Sequence, residues 1–327
     1  MSLADDLPAA VAILVACTRD PHDTQTTSML RAALSRVTDW QALADAASRQ
    51  AMAGLLYRQV TRSCPDLVPP AVLAAWRERS LAVAARSLRM QRQLLSLLER
   101  WTAASVSVAA FKGPVFSQQL YDDSTLRQFV DLDVLVPRAH VASARHIALR
   151  ASFTDVSPLA GVAERTLHSA MQEIGLRHPA TGLLVEIHWR EGPRFAADSL
   201  AAEDLVARSV PVALLGREIP TLAAPDVVLV LAVHAATHDW GRLEDVAAMA
   251  AALRRLSPHE AAEVQARAAA HRCRRRLHMG VLLASAIAGC HAPQAIEASA
   301  RADRRAKGLA AAARTRLFRS MAEGPAQ

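Results

Sequence analysis

Two aspartates one residue apart, Asp131 and Asp133, are the side chains whose type and spacing most directly indicate chemistry. Residues 131–136 are predicted to form a strand. Because strand side chains alternate, both carboxylates share one face while Leu132 and Val134 face the core. Adjacent negative charges repel each other, and a divalent cation offsets that repulsion. Oxygen ligands of this kind suit Mg²⁺ or Mn²⁺. The alternative is a strand end that carries two solvated acids.

A Lys-Gly turn lies upstream of this pair. Residues 106–111 are predicted as a strand that ends at Lys112-Gly113-Pro114, and residues 115–121 as a short helix. A glycine here lets backbone N–H groups approach a phosphate, and the start of the helix adds partial positive charge. Lys112 can contact a phosphate as a point charge, or it can be an exposed lysine at the end of the strand.

Glu186 is the third acid of interest, and it lies between apolar neighbours on a predicted strand at residues 183–189. If this strand pairs beside residues 131–136, Glu186 can complete a metal site or act as a general base. If the strand lies at a sheet edge, Glu186 faces water instead. His188 shares the face of Glu186 and is predicted either to contact substrate or phosphate, or to be a hydrogen-bonded structural histidine.

Arg127 lies on the loop four residues before Asp131. Its guanidinium can hold a triphosphate through two parallel hydrogen bonds. A salt bridge to Asp122 or Asp123 is the alternative role, and the sequence does not separate the two.

His234 and His238 are four residues apart, so they share one face of a predicted helix. Lining of a substrate cleft and zinc binding are two interpretations of the pair. Hydrogen bonding to Asp239 or Asp245 is the third. No further zinc ligand follows from the sequence.

These residues need a scaffold, and the pattern predicts an α+β (mixed α/β) chain with a small mixed sheet between helical regions. We predict three segments: an N-terminal helical region (1–104), a mixed core (105–198) and a C-terminal helical region (199–327). The helices are predicted at 7–19, 27–37, 39–57 with Asp39 as N-cap, 71–102, 140–151, 227–238 with Asp226 as N-cap, 242–256, and through an Ala- and Arg-rich stretch at 258–320. Besides the strands above, residues 174–178 and 183–189 are predicted to form a hairpin.

Composition restricts the class of protein. The chain has 327 residues, 52% of them hydrophobic and 21% charged, which is typical of globular proteins. The four cysteines show no zinc or disulfide spacing, the start is acidic and unlike a signal peptide, and no apolar run is long enough to span a bilayer. We therefore expect a cytoplasmic protein without a membrane partner. Despite the net charge of +7, nucleic acid is not an expected partner, because aromatic residues make up only 4% and most arginines alternate with acids.

Several of these motifs together resemble the uncharacterised nucleotidyltransferase family of the DNA polymerase β-like superfamily. The resemblance covers about residues 39–250. The matching segments are Phe111-Lys112-Gly113, Leu120-Tyr121, Leu126-Arg127, the strand at 131–136, and Glu186-Ile187-His188-Trp189-Arg190. Flanking matches are Asp39-Trp40, Leu55-Leu56-Tyr57, His234, His238, Trp240, Arg242-Leu243 and Asp245.

This resemblance implies a metal-dependent transfer of a nucleotidyl or related phosphate-linked group from a nucleoside triphosphate or nucleotide-sugar donor. It implies that Asp131 and Asp133 bind the metal, that Glu186 is the third carboxylate, and that Lys112 and Gly113 form the turn on the phosphate side. A small molecule or a peptide is the implied acceptor, and family members often lie beside peptide natural-product genes.

The sequence departs from the pattern of the superfamily at two positions. Pro114 stands where a small hydroxyl residue is usual, and the third acid is Glu where Asp is usual. Two other functions therefore stay open: a non-catalytic nucleotide-binding partner protein, and a toxin-like enzyme that modifies RNA or protein.

Overall fold

Short apolar runs bounded by glycine, proline and charged residues form the strands of this chain, and alanine-rich runs form its helices. The computed structural model describes residues 7–156, 171–192 and 199–323, and the acidic residues 1–6 lie outside them. Helices and a mixed sheet are both present, so the predicted α+β class is confirmed. The chain forms two compact units: Ala84–Val233, here the sheet unit, and Met1–Val83 with His234–Gln327, here the helical unit.

Among its described residues, the sheet unit contains a seven-stranded sheet. The strands are β1 (Ala109–Phe111), β2 (Asp131–Leu135), β3 (Thr154–Asp155), β4 (Glu173–Arg177), β5 (Leu184–His188), β8 (Val210–Leu214) and β9 (Arg217–Thr221). Their order across the sheet is β3-β4-β5-β2-β1-β9-β8. Strand β2 is antiparallel to β1 and parallel to β5, and β4 is antiparallel to β5. A second, two-stranded sheet pairs β6 (Arg190–Glu191) with β7 (Leu200–Ala201).

Alternation along the two central strands supplies the core of the sheet unit. Leu132 and Val134 on β2, with Val185 and Ile187 on β5, are at most 1% exposed. Burying side chains of this size stabilises the fold by about 1.5–3 kcal/mol each. The described helices that lie wholly in this unit are α6 (Gly113–Tyr121), α7 (Arg138–Arg150) and α8 (Ala202–Ala207). Helices α5 (Pro70–Ala103) and α9 (Ala224–Thr237) have residues in both units.

The helical unit contains the remaining helices and the 3₁₀ turn Pro65–Leu67. Asp39 caps α3 as predicted, because its side chain accepts a hydrogen bond from the Ala42 N–H at 2.8 Å. The helices are α1 (Ala9–Ala16), α2 (Thr24–Leu34), α3 (Trp40–Arg49), α4 (Ala53–Ser63), α10 (Leu243–Arg254), α11 (Pro258–Ala270), α12 (Arg274–Ala288), α13 (Gln294–Ala302) and α14 (Arg304–Glu323). Among the described residues, no helix combines the length and apolarity needed to cross a bilayer.

The helix predicted over residues 39–57 is two helices, α3 and α4. Ala51 has a φ of 55°, which ends the first helix, and the Met52 N–H returns to the Ala47 carbonyl at 2.7 Å. Met52 is fully buried in the break. Burial of this side chain outweighs the helix propensity of the alanines around it.

A hairpin between residues 210 and 221 was missed, because this region was predicted to return directly to helix. Strands β8 and β9 are joined by Leu215 and Gly216, whose φ values of 51° and 76° fit a two-residue hairpin turn. Pro211 and Pro220 lie opposite each other in the two strands. Prolines lower the strand signal, since they donate no backbone hydrogen bond.

Two further predictions need correction. Asp226 does not cap α9, which begins at Ala224; its carboxylate instead receives two hydrogen bonds from Arg208, at 3.0 and 3.1 Å. The Ala- and Arg-rich stretch at 258–320 is divided among α11 to α14. Arg272 and Gly289, with φ values of 57° and 58°, lie at two of the breaks.

Candidate active site

The register of the two central strands places Asp133 directly beside Glu186. The parallel pairing of β2 and β5 makes these two residues cross-strand partners, and Asp131 is level with Leu184. Strand β5 lies between β4 and β2, so the alternative of an edge strand for Glu186 is wrong. Strand β5 therefore pairs beside β2, as is needed for Glu186 to lie next to the Asp131/Asp133 pair.

His188 lies at the centre of the acids. Its Nε2 is 2.9 Å from Oδ1 of Asp133 and 3.4 Å from Oε2 of Glu186, and its Nδ1 is 2.9 Å from Oε2 of Glu173. The imidazole is only 3% exposed. Burial lowers the pKa of His188, but its hydrogen bonds to the three carboxylates outweigh this and hold the pKa well above its usual value.

Glu173 reaches His188 because β4 is antiparallel to β5 and the two residues are cross-strand partners. The hydrogen bond from His188 lowers the pKa of Glu173. Glu173 was not predicted from the sequence. It lies one residue before the strand predicted at 174–178, and its contact with His188 depends on the register of the hairpin.

Lys112 enters the cluster from the opposite side. Its Nζ lies 3.5 Å from Oδ1 of Asp133 and 3.0 Å from Oε2 of Glu191, and its side chain is 16% exposed. The ammonium also lies 4.8 Å from the centre of the Phe111 ring. Burial opposes the charge, yet Asp133 and Glu191 hold the pKa of Lys112 above its usual value. Lys112 is therefore not an exposed lysine at the end of the strand.

Glu191 is the second acid of the cluster that was not predicted from the sequence. It lies on β6, beyond the end of β5, and its side chain is buried. An odd spacing from Glu186 and His188 gave no reason to place it on their face, because the strand alternation does not continue from β5 into β6.

The two aspartates of β2 have different environments. Asp133 is buried, and although burial would raise its pKa, Lys112 and His188 lower it below the usual value. Asp131 is partly exposed, and its pKa is raised to about 6 by desolvation and by the charges of Asp133 and Glu186, against the opposing effect of Lys112. Adjacent aspartates thus differ because Asp133 has close cationic partners.

The donor set fits a divalent cation. One ligand atom each from Asp133, Glu186 and His188 lies within 4.8 Å of the others, so small side-chain adjustments bring all three to one ion. Carboxylates outnumber the basic groups here: five acids meet one lysine and one histidine. The acids are Asp131, Asp133, Glu173, Glu186 and Glu191. A bound cation would offset the excess negative charge.

The Lys-Gly turn adds a helix start beside the acids. Helix α6 begins at Gly113, two residues earlier than predicted, and Gly113 has a φ of 40°. An added Cβ would lie 3.6 Å from the Asp131 carbonyl, an ordinary van der Waals contact, so the positive φ and not the space favours glycine here. Pro114 lies in the first turn of α6, where backbone N–H groups have no partner within the helix, so its missing N–H costs nothing. The N–H groups of Gly113 and Val115 lie in the same turn and also have no partner within the helix.

The remaining predicted site residues are Arg127, His234 and His238. Arg127 is half-buried, and its backbone N–H donates to Oγ of Ser117 at 3.0 Å. His234 and His238 belong to the helical unit, with ring centroids 4.6 Å apart. The group of potential metal ligands found among the described residues contains neither histidine. The functional roles of these three residues stay predictions.

No curated protein matches the chain. The family described as "Uncharacterised nucleotidyltransferase" matches residues 36–289, which include the whole acidic cluster, the Lys-Gly turn and the histidine pair. This match covers more than three quarters of the sequence and agrees with the resemblance found from the motifs. The chain therefore belongs to the uncharacterised nucleotidyltransferase family.

Proposed function

We propose that this protein is a metal-dependent nucleotidyltransferase of the DNA polymerase β-like type. It takes a nucleoside triphosphate or nucleotide-sugar donor and transfers the nucleotidyl group to a small-molecule or peptide acceptor. The observation that carries the proposal is the pairing of Asp133 with Glu186 on adjacent central strands, next to the start of α6. Family membership supports the same reaction class.

The carboxylates of Asp131, Asp133 and Glu186 would hold the divalent cation, Mg²⁺ or Mn²⁺. When bound, such a cation supplies charge neutralisation at the phosphates and at the leaving group. The amides of Gly113 and Val115, at the positive end of the α6 dipole, bind phosphate oxygens.

The proton balance of the transfer falls on Glu186. An acceptor hydroxyl or amine forms a bond to the α-phosphorus of the donor, the bond from that phosphorus to pyrophosphate or to the sugar phosphate breaks, and the acceptor proton moves to a carboxylate oxygen. Glu186 is 26% exposed, so an acceptor can approach it from solvent. One of its oxygens suffices for the cation and the other takes the proton.

The acceptor is proposed to be a ribosomal peptide or a small molecule, in a cytoplasmic setting, on the basis of the resemblance alone.

The experiment uses α-labelled nucleoside triphosphates, Mg²⁺ or Mn²⁺, and a panel of peptides and small molecules. We expect label transfer with release of pyrophosphate. Asp133→Ala should reduce transfer by at least about 100-fold, as removal of a group that stabilises transition-state charge does. Glu218→Ala, which removes an exposed acid of β9, is the control. Full turnover by Asp133→Ala would refute the mechanism.

A second candidate function is nucleotide binding without transfer. It is favoured by the ammonium of Lys112 and the imidazole of His188, which both contact Asp133. These groups can balance the carboxylate without a metal. Calorimetry distinguishes the two functions: this candidate predicts nucleotide binding that persists in EDTA, and no turnover with any acceptor of the panel.

A further inference from the structure

We propose that His188 is itself a ligand of the active-site cation, held in place by Glu173, and that the site therefore prefers Mn²⁺ to Mg²⁺. The inference rests on the proposed function, in that it assigns the metal of the same site. It changes the ligand set from three carboxylates to two carboxylates and one imidazole nitrogen: Asp133, Glu186 and His188.

The geometry around the imidazole supports direct ligation. Nε2 faces the two carboxylates, at 2.9 Å from Oδ1 of Asp133 and 3.4 Å from Oε2 of Glu186. Nδ1, on the other side of the ring, is committed to Glu173 at 2.9 Å. A metal-binding histidine characteristically donates its other ring N–H to a carboxylate, which fixes the tautomer and the ring orientation. Glu173 is thus a positioning residue, and the cation replaces the Nε2 proton that Asp133 and Glu186 otherwise share.

The ring has little freedom to turn away. Strand pairing fixes His188 on both sides, opposite Leu135 of β2 and Glu173 of β4. Phe111 packs edge-on against the imidazole with ring centroids 5.3 Å apart. A histidine that is 3% exposed and held in this way is preorganised, so ligation costs little conformational entropy.

Lys112 forms its closer ion pair with Glu191, which is not one of the three proposed metal ligands. Its Nζ is nearer to Glu191, at 3.0 Å, than to Asp133, at 3.5 Å. The ammonium therefore stays paired with Glu191 when Asp133 turns toward a metal. This pairing keeps a positive charge beside the donor phosphates without occupying the ligand group.

An imidazole ligand changes which metal the site prefers. Mg²⁺ binds oxygen almost exclusively and gives up its water reluctantly, whereas first-row transition ions accept nitrogen. Mn²⁺ suits octahedral sites of oxygen ligands as Mg²⁺ does, and as a first-row transition ion it also accepts a nitrogen ligand. One imidazole replacing one carboxylate should therefore shift the Mn²⁺ to Mg²⁺ affinity ratio in favour of Mn²⁺.

The test measures the metal alone, without nucleotide. Mn²⁺ is titrated into the full chain and followed by electron paramagnetic resonance. Electron spin echo modulation then detects nitrogen bound to the ion, and ¹⁵N-histidine labelling assigns that nitrogen. We expect histidine coupling in the wild type, its loss in His188→Gln, and a fall in the Mn²⁺/Mg²⁺ affinity ratio of at least about 10-fold in that variant.

Two further variants keep the result interpretable. The side chain of Glu173 is partly exposed, so the fold should tolerate Glu173→Gln. This substitution should weaken Mn²⁺ binding by about 10- to 100-fold, because it removes the carboxylate behind a ligating histidine. His178→Gln, which removes another imidazole of the sheet unit, should leave coupling and affinity unchanged.

Each outcome separates this inference from the proposed function. Bound Mn²⁺ without histidine coupling, or equal Mn²⁺ affinity in the wild type and His188→Gln, overturns the inference even if nucleotidyl transfer is active. Histidine coupling that depends on His188 and Glu173 supports the inference even if no acceptor is ever modified.

Discussion

At the scale of single residues, neighbours decide what each acid does. Asp131 and Asp133 lie on one strand and one face, yet the pKa of Asp133 is lowered and that of Asp131 is raised to about 6. Lys112 and His188 contact Asp133 directly, while Asp131 experiences mainly burial and like charge. Without a cation, the site is therefore electrostatically unfavourable at Asp131.

The first prediction is that Asp131→Asn stabilises the metal-free protein at neutral pH. The folded pKa of Asp131, about 6, lies above the ordinary value of 3.8, so its ionisation costs stability as the pH rises from about 4 to above 6. Discounted for solvent screening, the cost is about 1 kcal/mol, or roughly 2–4 °C in Tm.

Thermal melts in EDTA between pH 4 and pH 8 measure this effect. The Tm difference between Asp131→Asn and the wild type should be near zero at pH 4 and reach its full value above pH 6. The exposed variant Glu218→Gln is the control. A difference that does not depend on pH would contradict the electrostatic cause.

The second prediction concerns the backbone at Gly113. Its φ of 40° is strained for any residue with a Cβ, while the surrounding space admits a methyl group. Gly113→Ala should therefore cost about 1–2 kcal/mol and should also weaken triphosphate binding, because the N–H groups at the start of α6 shift.

Gly182→Ala is the matched control for this prediction. Gly182 has a φ of 69°, lies in the β4–β5 turn and has open space around it. Its substitution should give a similar loss in chemical denaturation with unchanged triphosphate binding. If both variants bind triphosphate like the wild type, the Gly113 turn is not a phosphate site.

Much of the site follows from the sequence, because alternation on one strand is a local property. Asp131 and Asp133, and likewise Glu186 and His188, are predicted as pairs by period-two spacing alone. Glu173 and Glu191 are not, since the first depends on the register between β4 and β5 and the second lies on a separate strand after β5. The position of His188 between the acids depends on the register of β5 with both β2 and β4.

At the scale of elements, hydrogen bonds between polar side chains join several helices of the helical unit. His278 of α12 is buried, with Nδ1 2.9 Å from Oδ2 of Asp303 and Nε2 3.1 Å from Oγ of Ser299. The other oxygen of Asp303 accepts from the Ala306 N–H at 2.9 Å and so caps α14. One short network thus connects α12, α13 and α14.

The third prediction separates the two roles of Asp303. Asp303→Ala loses both the cap and the contact with His278 and should destabilise the protein by about 1–3 kcal/mol. Asp303→Asn retains a capping oxygen and should lose less than half as much. Chemical denaturation followed by circular dichroism measures both, and equal losses would show that the cap contributes little.

The pH dependence of this network has a defined sign. The pKa of Asp303 is lowered, first by the Ala306 N–H and then by His278. The Asp303 carboxylate therefore adds to the free energy of unfolding at pH values above the ordinary carboxyl pKa. This contribution decreases as the pH falls through the pKa of Asp303 in the folded protein. The stability advantage of the wild type over Asp303→Asn should shrink toward low pH.

Elements with strong local signals are predicted well, and those set by distant contacts are not. The Asp39 cap and strand β2 follow from a few neighbouring residues. The break between α3 and α4 depends on burial of Met52, and the β8–β9 hairpin depends on pairing that Pro211 and Pro220 obscure. Local propensity carries no information about what buries Met52 or about which strand pairs with β8.

At the scale of the whole molecule, the three predicted segments and the sheet unit are each continuous in sequence, while the helical unit is not. The helical unit combines both ends of the chain, and the family match over residues 36–289 includes parts of both units. The division at residues 104 and 198 follows changes in composition along the chain and stays a prediction. Composition alone cannot show that residues distant in sequence pack into one unit.

The whole-molecule claim is that the paired acids of β2 and β5 form a cation-dependent site for a triphosphate. Calorimetry with a non-hydrolysable triphosphate and Mn²⁺ tests it most directly, comparing the wild type with Asp133→Asn and with the control Glu218→Gln. We predict binding by the wild type and the control that disappears in EDTA, and affinity at least about 100-fold weaker in Asp133→Asn, which corresponds to about 2.7 kcal/mol. Binding of equal strength in EDTA, or in Asp133→Asn, would contradict the account.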